Sequence, residues 1–195
     1  DVCSSDLVPQ QYGTTFVYVL PVSPRKALVE YTLFNEEILP HEKYDEALRD
    51  YIKNYLNINS YAITEEEYGI IPMSNFCFKE QNENVINLGM AGGQTKASSG
   101  FTFKFIQKQT RNIIEQLQQQ QSLHLPTSFT KKKFDFYDSV LLHVLHYDKM
   151  NGDEIFSRIF KKNKAQLVLR FLDNETTIGE DVKILSSLQI GRAHV

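Results

Sequence analysis

Val85-Ile86-Asn87-Leu88-Gly89-Met90-Ala91-Gly92-Gly93-Gln94-Thr95-Lys96-Ala97-Ser98-Ser99-Gly100-Phe101-Thr102 reads as a strand, a glycine loop and the start of a helix. The apolar residues Val85, Ile86 and Leu88 suit a buried strand. Three glycines packed into the next few positions allow backbone angles and close approaches that side chains forbid. Ser98 and Ser99 are good N-cap residues, so a helix beginning there would point free N–H groups and a positive end out of the loop. An anion or a polar ring edge would fit such a place, although a plain turn between strand and helix uses the same glycines.

Working outward, the two ends of the chain read differently from its middle. Residues 1–7 can be encoded by a string whose reverse complement encodes residues 190–195, and that string is a common sequencing adapter. Both ends, 1–7 and 189–195, are therefore expected to be adapter-derived scars outside the fold, and the chain an internal fragment. Without the ends Cys77 is the only cysteine, so no intrachain disulfide or cysteine metal site is expected. The charge balance, −3 for the whole chain, gives no argument for a nucleic-acid partner. No apolar run is long enough to span a bilayer.

Thr14-Thr15-Phe16-Val17-Tyr18-Val19-Leu20 is β-branched and aromatic and stops at Pro21, which predicts a strand. After turn chemistry at residues 21–26, Ala27-Leu28-Val29-Glu30-Tyr31-Thr32-Leu33-Phe34 predicts a second, antiparallel strand. Period two puts Leu28, Glu30, Thr32 and Phe34 on one face, so a carboxylate shares its face with leucine and phenylalanine, a pattern that the solvent face of a half-exposed sheet shows as well. Residues 42–56 carry apolar positions at three- and four-residue steps and predict a helix, and residues 61–73 predict a strand despite Glu65-Glu66-Glu67. Cys77, between Phe76 and Phe78, is expected to be a small buried apolar residue.

Beyond the loop, a helix is expected over residues 99–117, and residues 118–133, with Gln118-Gln119-Gln120-Gln121, as a linker. Helices are then expected over 134–150, 153–162, 165–172 and 178–188. His143 and His146 could share a helix face, but no third ligand stands at a useful spacing and no metal is expected. Lys131-Lys132-Lys133 and Lys161-Lys162-Asn163-Lys164 read as solvated helix ends. The organisation is thus an α/β piece, residues 8–117, and a helical section, residues 134–188.

Several of these stretches together resemble the lycopene cyclase family of carotenoid enzymes, of the bacterial type. They are residues 16–21 with 27–34 and Glu36-Glu37, then Tyr68-Gly69-Ile70-Ile71-Pro72-Met73, then residues 87–103, and finally Phe136-Tyr137-Asp138 with the apolar pairs of the helical end. In order and spacing they cover nearly all of residues 8–188. The resemblance implies an α/β fold, here an α+β fragment from the C-terminal part of a Rossmann-like FAD/NAD(P)-binding flavoprotein, with antiparallel substrate-sheet strands and a helical end. The family's G-x-G-x-x-G unit does not occur in this sequence, as expected of a fragment.

The resemblance also implies roles. The glycine loop would be a second flavin contact, with Gly89, Met90, Ala91, Gly92, Gly93, Ser98, Ser99 and Gly100 as cofactor-binding residues. Many relatives have Gly-Asp where this chain has Gly89-Met90, which leaves backbone N–H groups and the serines as donors. The family's acidic motif falls best on Leu28-Val29-Glu30-Tyr31-Thr32, so Glu30 takes the place of the essential acid, while Tyr31 stands at the second acidic position and Glu36 and Glu37 are runner-up acids. The implied reaction is non-redox cyclisation of the ψ-ends of lycopene to β-ionone rings, with reduced FAD as cofactor, NAD(P)H as its reductant, and a peripheral place on the cytoplasmic side of a bacterial membrane. An acid able to protonate an alkene needs a dry, apolar setting, which makes Leu28 and Phe34 its expected wall. The rival expectations are another lipid-acting flavoprotein, a prenyl reductase or monooxygenase, or a non-catalytic lipid-binding module.

Overall fold

A computed structural model of the chain describes residues 4–83, 85–120, 123, 125, 128–147 and 149–188. It is mixed α and β with small antiparallel sheets, and it divides into two compact units. The first is Asp1–Tyr68 with Asn151–Asp153, and the second is Gly69–Met150 with Glu154–Val195.

In the first unit, β2 (Thr14–Ser23) and β3 (Lys26–Phe34) form a long antiparallel hairpin around a turn at Pro24 and Arg25. The strand expected to stop at Pro21 runs on to Ser23, with an irregularity between the two that accommodates a residue without an N–H. β1 (Ser4–Leu7) pairs with the other edge of β2, in register Leu7 to Phe16. These four residues were expected to lie outside the fold. A strand edge pairs through main-chain groups, which every residue carries, so the origin of the side chains does not prevent it. Helix α1 (His41–Asn54) starts after Pro40 and packs against β3. Its Tyr44 ring meets Tyr31 edge-on with centroids 6.0 Å apart, so α1 covers the face of the sheet that carries Tyr31, Thr15 and Val17. Thr15, Val17 and Tyr51 are buried there.

The expected strand at residues 61–73 does not form. Residues 57–71 are exposed throughout and run in no ladder, because a strand needs a neighbouring edge and the row of glutamates offers no apolar face to attract one. Cys77 is exposed, not buried.

In the second unit, β4 (Gln81–Asn82) and β5 (Val85–Ile86) make a two-residue antiparallel hairpin, so the buried strand expected ahead of the glycine loop is short. Its Val85 is 62% exposed. A 3₁₀ turn at Gly89–Gly92 follows, and α2 runs over Phe103–Gln118. The helical end is α3 (Phe129–His146), α4 (Gly152–Lys162), α5 (Ala165–Leu172) and α6 (Ile178–Ser186). Ser128 caps α3 by accepting from the Lys131 N–H, and Thr177 with Glu180 forms a capping box on α6. Two apolar clusters hold the helices: Phe134, Phe171 and Ile184 in one, and Val144, Ile155 and Leu188 in the other. No helix is long and apolar enough to cross a membrane among the described residues.

Candidate functional site

The β2–β3 register sets the surroundings of Glu30. Tyr18 lies directly opposite it, Phe16 opposite Thr32, Leu20 opposite Leu28, and Thr14 opposite Phe34. Because successive side chains alternate, all eight lie on the face turned away from α1. The Phe16 and Tyr18 rings meet edge to face at 5.0 Å, and the Thr32 hydroxyl donates to Glu30 Oε1 at 3.0 Å. The expected neighbours Leu28 and Phe34 flank Glu30 on its own strand. The carboxylate itself is exposed, however, and Leu28 is half exposed, so the first unit supplies a floor for Glu30 and not a closed pocket. One end of the floor is sealed: Gly152 lies on Thr14 so closely that a Cβ there would clash with the threonine side chain. Glu36 and Glu37 follow the strand in an exposed bend. Tyr31, at the second acidic position, points to the other face, where burial raises its phenol above the ordinary tyrosine range.

The glycine loop folds on itself. Gly89, Gly93 and Gly100 have φ of +66°, +68° and +72°, a region that side chains disfavour. At Gly92 the need is for space, since a Cβ would run into the Asn87 carbonyl. Gly93 N–H donates to the Met90 carbonyl and Gln94 N–H to that of Gly89, both at 3.0 Å. Lys96 is the hub of the second half: its carbonyl accepts from Ser99 N–H at 3.2 Å and Gly100 N–H at 2.8 Å, and its own N–H donates to Phe101 O at 2.8 Å. Ser98 and Ser99 therefore do not cap a helix. They lie inside a turn, and α2 begins only at Phe103, after Thr102, which makes no side-chain cap. Ser98 is buried, Ser99 half-buried, and Met90 and Ala91 form the exposed edge of the loop.

Beneath the loop are two buried ion pairs that flank one ring. The Lys96 ammonium donates to Asp138 Oδ1 at 2.7 Å and to Asn174 Oδ1 at 2.8 Å. The Lys133 ammonium donates to Asp181 Oδ2 at 2.6 Å and to the Thr176 carbonyl at 2.8 Å, while Thr176 Oγ1 donates to Asp181 Oδ1 at 2.5 Å. Both ammoniums face the buried Phe134 ring, 5.1 Å and 4.3 Å from its centroid. Burial pushes the Lys96 ammonium below the ordinary lysine range, and the Asp138 carboxylate pulls the other way without cancelling it. Lys133 was expected to be a solvated helix end, but its side chain is only 9% exposed. The signal for this site lay in α3: Asp138 stands one helical step after Phe134, on the apolar stripe, where a lone carboxylate needs a cation.

Gln109 bears on whether a cofactor suits this region. Gln94 bridges the loop, its Oε1 accepting from Gly89 N–H at 2.8 Å and its Nε2 donating to Gln109 Oε1. Gln109 Nε2 is buried with no hydrogen-bond partner. An unspent donor joined through Gln94 to Gly89 suits a group that brings its own acceptors. Among the described residues, no group of acidic, histidine and cysteine side chains could hold a metal ion.

Fold and site define an α+β protein in which an acid on an apolar sheet face accompanies a glycine loop locked from below. A family model described as lycopene cyclase protein matches residues 4–192, and the chain belongs to that family. Neither the curated proteins nor the solved structures gave a match. Membership places the chain among carotenoid cyclases and so among enzymes of carotenoid biosynthesis.

Proposed function

We propose that the chain carries lycopene β-cyclase chemistry, with Glu30 as the acid. The observation that supports this is the face of β2 and β3: a single carboxylate, held by Thr32, among Phe16, Tyr18, Leu20, Leu28 and Phe34. Lycopene is a hydrocarbon with no hydrogen-bonding atom, so only apolar and aromatic surface can bind it, and aromatic faces also stabilise a developing cation. Protonated Glu30 gives its proton to a terminal double bond. The carbocation is attacked by the neighbouring double bond, which closes the six-membered ring, and loss of a ring proton leaves the β-ionone alkene. Proton gain and loss balance, and no electrons are transferred.

Reduced FAD, kept so by NAD(P)H, would supply an acid–base or electrostatic partner for that cation. In this chain the half-buried Gly89, the exposed Met90 and Ala91, and the unspent Gln109 Nε2 are the groups suited to hold it. The other loop residues of the set, Gly92, Gly93, Ser98, Ser99 and Gly100, serve by shaping the loop. A hydrocarbon substrate dissolved in lipid argues for a peripheral place on a membrane surface, on the cytoplasmic side.

The test is Glu30→Gln in the complete protein supplied with lycopene. Cyclised product should fall by about 10²- to 10⁴-fold, the usual worth of a positioned acid, with flavin content and thermal midpoint kept. Undiminished cyclisation would remove Glu30 from the role. NADPH-dependent oxidation or reduction of a prenyl lipid in place of cyclisation would favour a reductase or monooxygenase.

A further inference from the structure

We propose that Lys96 is a positioning residue for the glycine loop, fixing its second half through its main chain and through its buried ammonium at once. The proposal rests on the reading of that loop as a flavin contact. The peptide groups of Lys96 organise the turn, accepting from Ser99 and Gly100 and donating to Phe101. The side chain of the same residue reaches Asp138 of α3 and Asn174, which follows α5, so one ammonium ties the turn to two separate segments of the helical end. That side chain is only 1% exposed.

Burying a charge is a poor route to stability, because well-packed apolar residues of similar volume serve as well or better. What an ion pair adds is register: a short, directional contact admits fewer loop positions than a greasy one. The molecule holds its own control. Lys133 and Asp181 make the same kind of pair against the same Phe134 ring, but they join α3 to α6, and the Lys133 ammonium donates to Asp181 and the Thr176 carbonyl and not to the loop among the described residues.

The experiment compares Lys96→Met/Asp138→Leu with Lys133→Met/Asp181→Leu in the complete protein, reading thermal midpoint, amide hydrogen exchange and FAD affinity. Replacing each whole pair should keep the fold. Exchange at Ser99 and Gly100 should quicken by roughly tenfold or more only in the Lys96 variant, and FAD affinity should drop roughly tenfold there and not in the control. Asn174→Gly, which keeps a residue suited to the backbone φ of +59° but removes one acceptor, should move both readouts the same way and less. Protected Ser99 and Gly100 amides in the Lys96 and Asn174 variants would overturn the proposal, as would rapid exchange with FAD affinity unchanged. Rapid exchange in a protein whose wild type takes up no FAD would support Lys96 as the fastener of the loop and remove the flavin reading instead.

Discussion

The sheet that carries Glu30 and the loop that carries Lys96 hold their charges in opposite ways. Glu30 stands exposed on a strand, with one hydroxyl as its recorded partner, whereas Lys96 is buried with a carboxylate, an amide and an aromatic face around it. The first arrangement leaves the carboxylate open to an incoming molecule and costs the fold little. The second is expensive to break and leaves the loop few alternatives. A group proposed to react and a group proposed to hold a loop still are expected to differ in this way.

The contrast is broken most severely through the buried pairs. Asp138→Ala should cost about 3–5 kcal/mol, because it strands a buried ammonium, and urea unfolding would show it; a loss below 1 kcal/mol would mean that Lys96 reaches water. Phe134→Ala should lie in a similar range, about 3–5 kcal/mol, since it opens a cavity in the core and removes the ring that both ammoniums face. Gly93→Ala should cost about 1–2 kcal/mol, because alanine resists the left-handed backbone, and its Cβ would press on Phe78 Cβ at 3.0 Å. At the other extreme, Thr32→Val should leave stability within about 0.5 kcal/mol while slowing cyclisation; a large stability loss there would mean that the open face is structural after all.

A pH effect sharpens the same contrast. Glu180 is held down to about 2 from an ordinary 4.5, first by the Thr177 N–H and then by the Arg170 guanidinium. As pH falls the unfolded chain takes up this proton before the folded one. The stabilisation is therefore complete above 4.5 and is lost as pH approaches about 2. Glu180→Gln should flatten the change in urea midpoint across that window, leaving the sheet's contribution as it was.

Local signals made much of the fold legible. The β-branched and aromatic runs placed β2 and β3, although β2 passes through Pro21 to Ser23, and the three- and four-residue spacing placed α1 and α5 almost to the residue. What escaped depended on partners that the local pattern does not show. Residues 61–73 have strand-like composition but no edge to join. Ser98 and Ser99 look like caps until Lys96, three residues before Ser99, takes up the N–H groups of the turn. Lys133 looks solvated until Asp181 and Thr176, more than forty positions on, meet it. For the proposed site, Glu30 was legible by resemblance and by its apolar neighbours, whereas Lys96 and Asp138 lay inside stretches that carry the resemblance without being given a role by it, and Gln109 lay outside them. Asp138 alone left a trace, as a carboxylate in phase with Phe134.

Exposed Cys77 has a practical use that a buried thiol would not. It is next to Phe78, the side chain that a Cβ at Gly93 would touch. With Cys3 replaced, a thiol-reactive fluorophore at Cys77 would sit beside the residue that lies against Gly93, and its emission should report binding at the loop in real time, independent of any assay for the carotenoid product.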